Sequence, residues 1–484
     1  MPSPARRRGI GGLVTVMAAT LLLASGPSAS AEGVRLTEIG SDAYANATSQ
    51  HGTQTGPDTF HWGSTIVTAQ QTGRFHDAGA SGVAFATSGD DGGTWAKGVL
   101  PGLTVFGGGP YARVSDPSVA FDARHGVWLV SSLALNDAGG AGGAVSGAAV
   151  LVSRSTDGGL TWGAPVTAAS GGDLDKSWAV CDNAAASPHH GRCYVVFDDH
   201  GAGNAIKVAR SSDGGLTWAV TETSATGLGG QPVVRPGGAV VVPYLSNDGE
   251  IRSFRSRDGG ATWDESVLVS YVQRHPVAGG LRAAPLPSAE TDADGTVYVA
   301  WHDCRFQIGC AGNDIVLSRS ATGAAWGDVL RVTKDGGDHF IPGLGVDRAS
   351  AGGRARLAVA YYRLPEAACT PATCRLTVAY TSSTNGGASW SAPVELHGPM
   401  AVDWLAAGAQ GRTAGDYLST SVVPGGNAFP VFAVAAAPSG GSLNVRTHTV
   451  TGGLPITGGD PPTVAIDAAI ATGDPPSPFL PTAR

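Results

Sequence analysis

Lysine is almost missing from this chain of 484 residues: it stands only at Lys97, Lys176, Lys207 and Lys334, and arginine supplies the rest of the 31 basic residues. Charge of either sign is scarce, at 14%, against about 25% in an ordinary soluble domain. The balance is acidic, with a formal net charge of −8. Few cations on a net-negative chain match nucleic acid and anionic lipid poorly, so neither is expected as a partner. Beyond the N-terminal segment no run reaches about 18 apolar residues, which excludes a second membrane span. No C-x-x-C pair with matching histidine spacing occurs, so the usual zinc frameworks are absent, and neither metal nor cofactor is expected.

What the chain has in excess is glycine, 72 residues, together with 30 prolines. Spread along the whole length, they indicate frequent turns and argue against long helices. A hydrophobic content of 42% is ample for a packed core. The start reads differently. Arg6, Arg7 and Arg8 precede an apolar stretch centred on Leu21, Leu22 and Leu23, and Ala29-Ser30-Ala31 offers a small-x-small cleavage site. This is a signal peptide, 1–31, cleaved after Ala31, and the protein is expected to be secreted. The six cysteines lie as three local pairs, Cys181 with Cys193, Cys304 with Cys310 and Cys369 with Cys374. In an exported chain they read as disulfides; several connectivities are possible, and proximity favours these three.

One pattern recurs, Ser-x-Asp-x-Gly-x-Thr-Trp. It stands intact at Ser88–Trp95, Ser155–Trp162, Ser211–Trp218 and Ser256–Trp263, with its acid at Asp90, Asp157, Asp213 and Asp258. A fifth copy ends at Trp390 and carries Asn385 and Ser389, and a shortened sixth, Ser320 to Trp326, carries Thr322. The pattern suits a hairpin turn: the carboxylate accepts backbone N–H groups of its own turn and Gly supplies positive φ. The Trp rings (Trp95, Trp162, Trp218, Trp263, Trp390) bury behind the turn. These residues resemble the Asp boxes, or neuraminidase repeats, of the sialidase superfamily. There the box joins the third and fourth strands of a propeller blade, away from the central site, so the box residues are read as structural.

A short strand with alternating apolar residues runs into each box and two further strands lie upstream of it, and a unit without a box follows the last one, with strands near Asp416–Ser421, Phe429–Val434 and Leu443–Val450. The rhythm, roughly every 60 residues, gives seven units. An all-β propeller of four-stranded antiparallel blades is therefore expected, seven blades by this count and six by analogy with known sialidases. The last unit lacks a fourth strand, which Val34–Thr37 at the mature N-terminus can supply. Residues 32–451 form one propeller domain, and 452–484 a Pro/Gly-rich tail expected to wander. Leu454–Gly458 spells L-P-x-T-G, but neither an apolar span nor a basic end follows it.

Inner-strand starts carry Asp58, Asp116, Asp175, Gln231, Glu290, Asp338 and Asp416 with Tyr417, so the channel mouth is expected to be acidic. Middle-strand ends add Arg74, the run Asp198–His200, Arg305 and Arg363. Resemblance to sialidases implies three arginines on a substrate carboxylate, a Tyr–Glu pair and an Asp acid/base. Arg74, Arg305 and Arg363, with Tyr417, Glu290 and Asp116, can be assigned these roles by placement. The F/Y-R-I-P element expected before the first box is missing; Tyr362-Arg363-Leu364-Pro365 resembles it only in the sixth unit. Two functions stay open: a secreted exo-α-sialidase acting on extracellular glycans, or a non-catalytic propeller that binds a carbohydrate or protein. A monomer is expected in either case.

Overall fold

Each Ser-x-Asp turn closes a short antiparallel ladder, and these ladders repeat through the computed structural model, which describes residues 1–2, 33–137 and 145–458. The chain divides into Met1–Gly33 and a single unit, Val34–Arg484, and the fold described here is that of the second. Most of the expected signal peptide and everything after residue 458 lie outside the described residues.

Strands Gln50–Trp62, Thr65–Arg74, Ala80–Ser88 and Ala96–Val99 pair in sequence order. A single Ala80–Val114 pair links them to Arg113–Asp122, Val127–Asp137, Val145–Ser155 and Val166–Ser170. Next come Leu174–Cys181, Cys193–Asp199, Ala205–Ser211 and Ala219–Leu228, joined through Gly227 and Leu228 to the group Val233–Val234, Val240–Ser246, Glu250–Ser256 and Val267–Tyr271. Two separate sheets follow: Ser288–Thr291, Val297–Asp303, Asp314–Ser320 and Leu330–Arg331, then Asp338–Val346, Leu357–Leu364, Arg375–Ser383 and Val394–Ala401. The last sheet holds Ser419–Val422, Ala428–Ser439 and Ser442–Val450, and its fourth strand is Leu36–Glu38 from the other end of the chain, with Leu36 opposite Val450. The fold is all-β, and every ladder between these strands is antiparallel.

The core is divided among these groups. Val67, Val83 and Phe85 of the first pack with Val119, Trp128 and Leu151 of the second; Val150 and Val152 pack with Val195 and Phe197 of the third. The same alternation continues along the chain. A last small cluster joins Ala86 of the first group to Val431 of the last through Ile39.

The turns hold as their residues dictate. Ser155 Oγ donates to Asp157 Oδ1 at 2.7 Å and accepts from Gly159 N at 2.9 Å, while Thr161 donates N–H and O–H to the same carboxylate at 2.9 and 2.5 Å. Trp162 closes the turn by donating Nε1–H to the Gly159 carbonyl at 3.0 Å. Gly159 has φ 81°, and a Cβ there would come within 2.9 Å of Val67 on the preceding group, so the turn also docks onto its neighbour. Asn385 preserves the scheme, taking Ser383 Oγ at 2.8 Å and donating to Ser389 Oγ at 2.7 Å. In the shortened copy Ser320 Oγ donates instead to Ala325 O at 2.5 Å.

All three expected disulfides are present, Cys181–Cys193, Cys304–Cys310 and Cys369–Cys374. Such bonds fit an oxidising compartment. No helix among the described residues is long and apolar enough to cross a membrane. One expectation fails: the chain does not wander directly after Val450. Leu454 pairs with Ala428, Ile456 is buried, and Tyr380 donates its hydroxyl to Pro455 O at 3.3 Å, because the apolar residues of this segment pack into the core shared by the last two sheets.

Candidate functional site

The first strands of four groups share one irregularity. The ladder register shifts between Thr55 and Asp58, Ser115 and Ser118, Asp175 and Trp178, and Phe340 and Gly343. Within each shift one residue takes positive φ: Gly56 at 58°, Asp116 at 45°, Lys176 at 43° and Ile341 at 53°. A left-handed residue in a bulge re-aims its side chain out of the strand's alternation, and for a non-glycine residue it costs about 1–3 kcal/mol that the surroundings must hold. Two of the four re-aimed residues, Asp116 and Lys176, are ionisable and line one cleft.

That cleft encloses about 420 Å³ and is lined by Arg74, Asp116, Asp175, Lys176, His200, Arg282 and Asp416, among others. At its floor Lys176 Nζ and Arg282 Nη2 both donate to Asp416 Oδ2, the second at 2.6 Å. Lys176 also lies 3.9 Å from Asp116 Oδ1. Burial alone would raise the Asp416 carboxyl, but the charges of Lys176 and Arg282 outweigh it and hold the group well below the usual carboxylate range. Asp116 is raised, by burial first, with Lys176 opposing. Arg74 differs from the other cations. It is 8% exposed, donates Nη1–H to Gln71 Oε1 at 3.0 Å, and among the described residues has no carboxylate within ion-pair distance. Its buried Nε has no hydrogen-bond partner.

Tyr417 sits beneath, in a narrow cavity it shares with Asp116, Lys176 and Trp178. Its hydroxyl donates to Pro117 O at 3.0 Å and its ring meets Trp178 edge-on at 4.9 Å. Burial, then the charge of Asp116, pushes the phenol well above its ordinary range. Glu290 is elsewhere. It lines a second cavity of about 300 Å³ with Asp58, Trp178 and Gln231, and its nearest cation is Arg348 at 3.6 Å. Burial raises the Glu290 carboxyl against the pull of Arg348 and pushes Asp58 up to about 6.

Arg74 and Asp116 are thus brought to one cleft, Tyr417 shares a narrow cavity with Asp116 without lining that cleft, and Glu290, Arg305 and Arg363 line neither. Arg305 is folded onto Asp303, with Nε–Oδ1 at 2.9 Å and Nη2–Oδ2 at 2.7 Å, and onto Ser270 Oγ at 2.9 Å. Arg363 pairs with Asp335 at 3.2 Å and donates to Gly336 O at 2.9 Å. Of the three arginines only Arg74 lines the cleft. Sequence reasoning missed Lys176 and Arg282. Lys176 left a signal, being one of four lysines and standing inside an inner strand; Arg282 left none, since it belongs to an irregular segment tied by Arg282 N–H to Arg412 O at 2.8 Å. At the edge of the cleft His200 Nε2 approaches Asp175 Oδ2 at 3.3 Å and Asp198 Oδ2 at 3.6 Å. These three residues have the donor types to hold a cation.

No protein-family model matches the chain, and no curated protein matches it. Solved structures do. An ulvan lyase, a polysaccharide lyase bound to -[GlcA(1-4)Rha3S]-, is 12% identical over 87% of this chain and 96% of its own, with a TM-score of 0.50. The sialidase NanB of Streptococcus pneumoniae is 12% identical over 75% and 70%, at 0.47. An intramolecular trans-sialidase of Ruminococcus gnavus is 14% identical over 67% and 93%, at 0.45. The likeness to the lyase is one of fold.

Proposed function

We propose that this is a secreted, monomeric β-propeller of seven blades that acts on extracellular glycans bearing a carboxylate, sialidase-like in architecture, with its site in the Arg74 cleft. Seven antiparallel groups, and core clusters linking each to the next and the last to the first, support the propeller. The observation that carries the functional reading is Arg74: a buried guanidinium on a cleft, with no carboxylate of its own, is matched by an anionic sugar. Asp116, whose carboxyl is raised by burial, holds a proton more readily than an ordinary Asp and is our candidate acid, lining one cavity with Tyr417. Exo-α-sialidase chemistry through a Tyr417–Glu290 pair is not favoured, because the Tyr417 hydroxyl donates to Pro117 O and Glu290 is paired with Arg348.

A second reading, a non-catalytic glycan-binding propeller, is favoured by two observations. Tyr417 donates to a backbone carbonyl instead of a carboxylate base, and Lys176 and Arg282 are already committed to Asp416. Incubating the mature chain with fluorogenic α-sialosides and with uronate polysaccharides separates the two. Release of sialic acid, or of unsaturated uronide, that is lost in Arg74→Ala supports the enzyme. Binding without turnover supports the binder, and no interaction with either class overturns both.

A further inference from the structure

Asp175 and Asp198 face one another across the Leu174–Cys181 and Cys193–Asp199 ladder as register partners. Like charges so placed repel, and among the described residues Asp198 has no lysine or arginine within ion-pair distance. It is 1% exposed, and neither of its carboxylate oxygens has a hydrogen-bond partner. A buried carboxylate without donors is among the costliest groups a fold can hold. Its neighbours are occupied: Asp199 takes Lys207 at 3.0 Å and the Asp173 N–H at 3.1 Å, and Lys176 is taken by Asp416. What does face Asp198 is His200 Nε2, 3.6 Å from Oδ2, itself 3.3 Å from Asp175 Oδ2. One donor atom from each residue lies within 4.8 Å of the others.

We propose that Asp175, Asp198 and His200 form a binding site for a divalent transition-metal ion of the zinc class. Two ligands at about 2.0–2.1 Å on a tetrahedral zinc stand roughly 3.3–3.4 Å apart, close to the two distances His200 makes here. One imidazole and two carboxylates suit zinc better than calcium or magnesium, which need more oxygen ligands. Three protein ligands leave the fourth position free. Asp175 and His200 both line the cleft, so that position opens towards it and can take water or an anionic ligand. The ion neutralises the two opposed carboxylates and gives Asp198 the partner it lacks. The inference does not depend on glycan activity.

The test is zinc chloride titrated by calorimetry into the mature chain after EDTA treatment, with elemental analysis of the gel-filtered product. One zinc per chain is expected. Asp198→Asn, which keeps the side-chain shape, and His200→Ala, at a half-exposed residue, should each weaken binding by at least about tenfold. His125→Ala, at a separate His–Asp pair, should leave binding unchanged, and far-ultraviolet circular dichroism should show all three variants folded. Saturating zinc should raise the melting temperature of the parent chain by about 3 °C and of Asp198→Asn by much less. No heat and no retained zinc would overturn the proposal. So would binding that survives in both ligand variants, or a preference for calcium or magnesium over zinc.

Discussion

Arg282 and Asp416, 134 residues apart in sequence, meet at 2.6 Å on the floor of the cleft, where the same carboxylate oxygen also accepts from Lys176. Two cations on one buried anion make Asp416 the keystone of the cleft's electrostatics. Removing it leaves Lys176, which is nearly buried, facing Arg282 with Asp116, at 3.9 Å, as its one remaining carboxylate within ion-pair distance among the described residues. Asp416→Asn should therefore destabilise the fold by about 3–5 kcal/mol, read as a lower urea midpoint at unchanged slope. A loss within about 0.5 kcal/mol, the range of ordinary surface changes, would show that the cluster is solvated.

The box turns carry a stability contribution with a defined pH sign. Hydrogen bonds from the Thr161 hydroxyl and N–H pull Asp157 down to about 2, and the Thr94 N–H does the same first for Asp90, from an ordinary 3.8. A carboxylate lowered in the folded state stabilises fully above its unfolded value and loses that contribution as pH falls through its folded one. The box contribution should hold down to about pH 4 and melting temperatures should drop from there towards pH 2, and Asp157→Asn, imitating Asn385, should lessen the drop.

Asp58 works in the opposite direction. Burial pushes it up to about 6 although it accepts the Val119 N–H at 2.7 Å. The folded protein holds this proton more tightly than the unfolded chain, so stability declines as pH rises from about 4 to about 6. Asp58→Asn keeps an acceptor for Val119 and should flatten that decline. An unchanged slope in the variant would assign it to another group.

Trp162 is 8% exposed, packs in the cluster shared by the first two strand groups, and closes its turn through Gly159 O. Trp162→Ala should cost about 3–5 kcal/mol, far more than loss of one exposed turn contact. Guanidinium unfolding checks this directly.

The strand rhythm, the box turns and the three disulfides were legible because each depends on residues close in sequence. Ser155, Asp157, Gly159 and Thr161 define their own turn wherever the fold places it. The closing strand was legible to within two residues, Val34–Thr37 against the observed Leu36–Glu38, since a unit lacking a strand needs one. The cleft was legible only in part. Arg74 and Asp116 line one cleft, and Tyr417 lines the narrow cavity that also reaches Asp116. Arg305 and Arg363 do not join them, because Asp303 and Asp335 stand beside them and take their guanidinium groups. Lys176 enters the cleft through a bulge at φ 43°, which no alternation rule registers. Asp198 and His200 acquire their meaning only from Asp175 across the ladder.

The claim that Arg74 receives a substrate carboxylate is tested most directly by titrating a sialylated and a uronate oligosaccharide into the parent chain and Arg74→Ala. Arg305→Ala and Arg363→Ala serve as comparisons at arginines outside the cleft. The account predicts that Arg74→Ala weakens binding of the recognised acidic glycan by about 10-fold or more, the loss of one charge-assisted bond worth 1.5–3 kcal/mol, while the other two variants bind as the parent does. Equal affinity in the parent and in Arg74→Ala, or a loss confined to Arg305→Ala or Arg363→Ala, would contradict it.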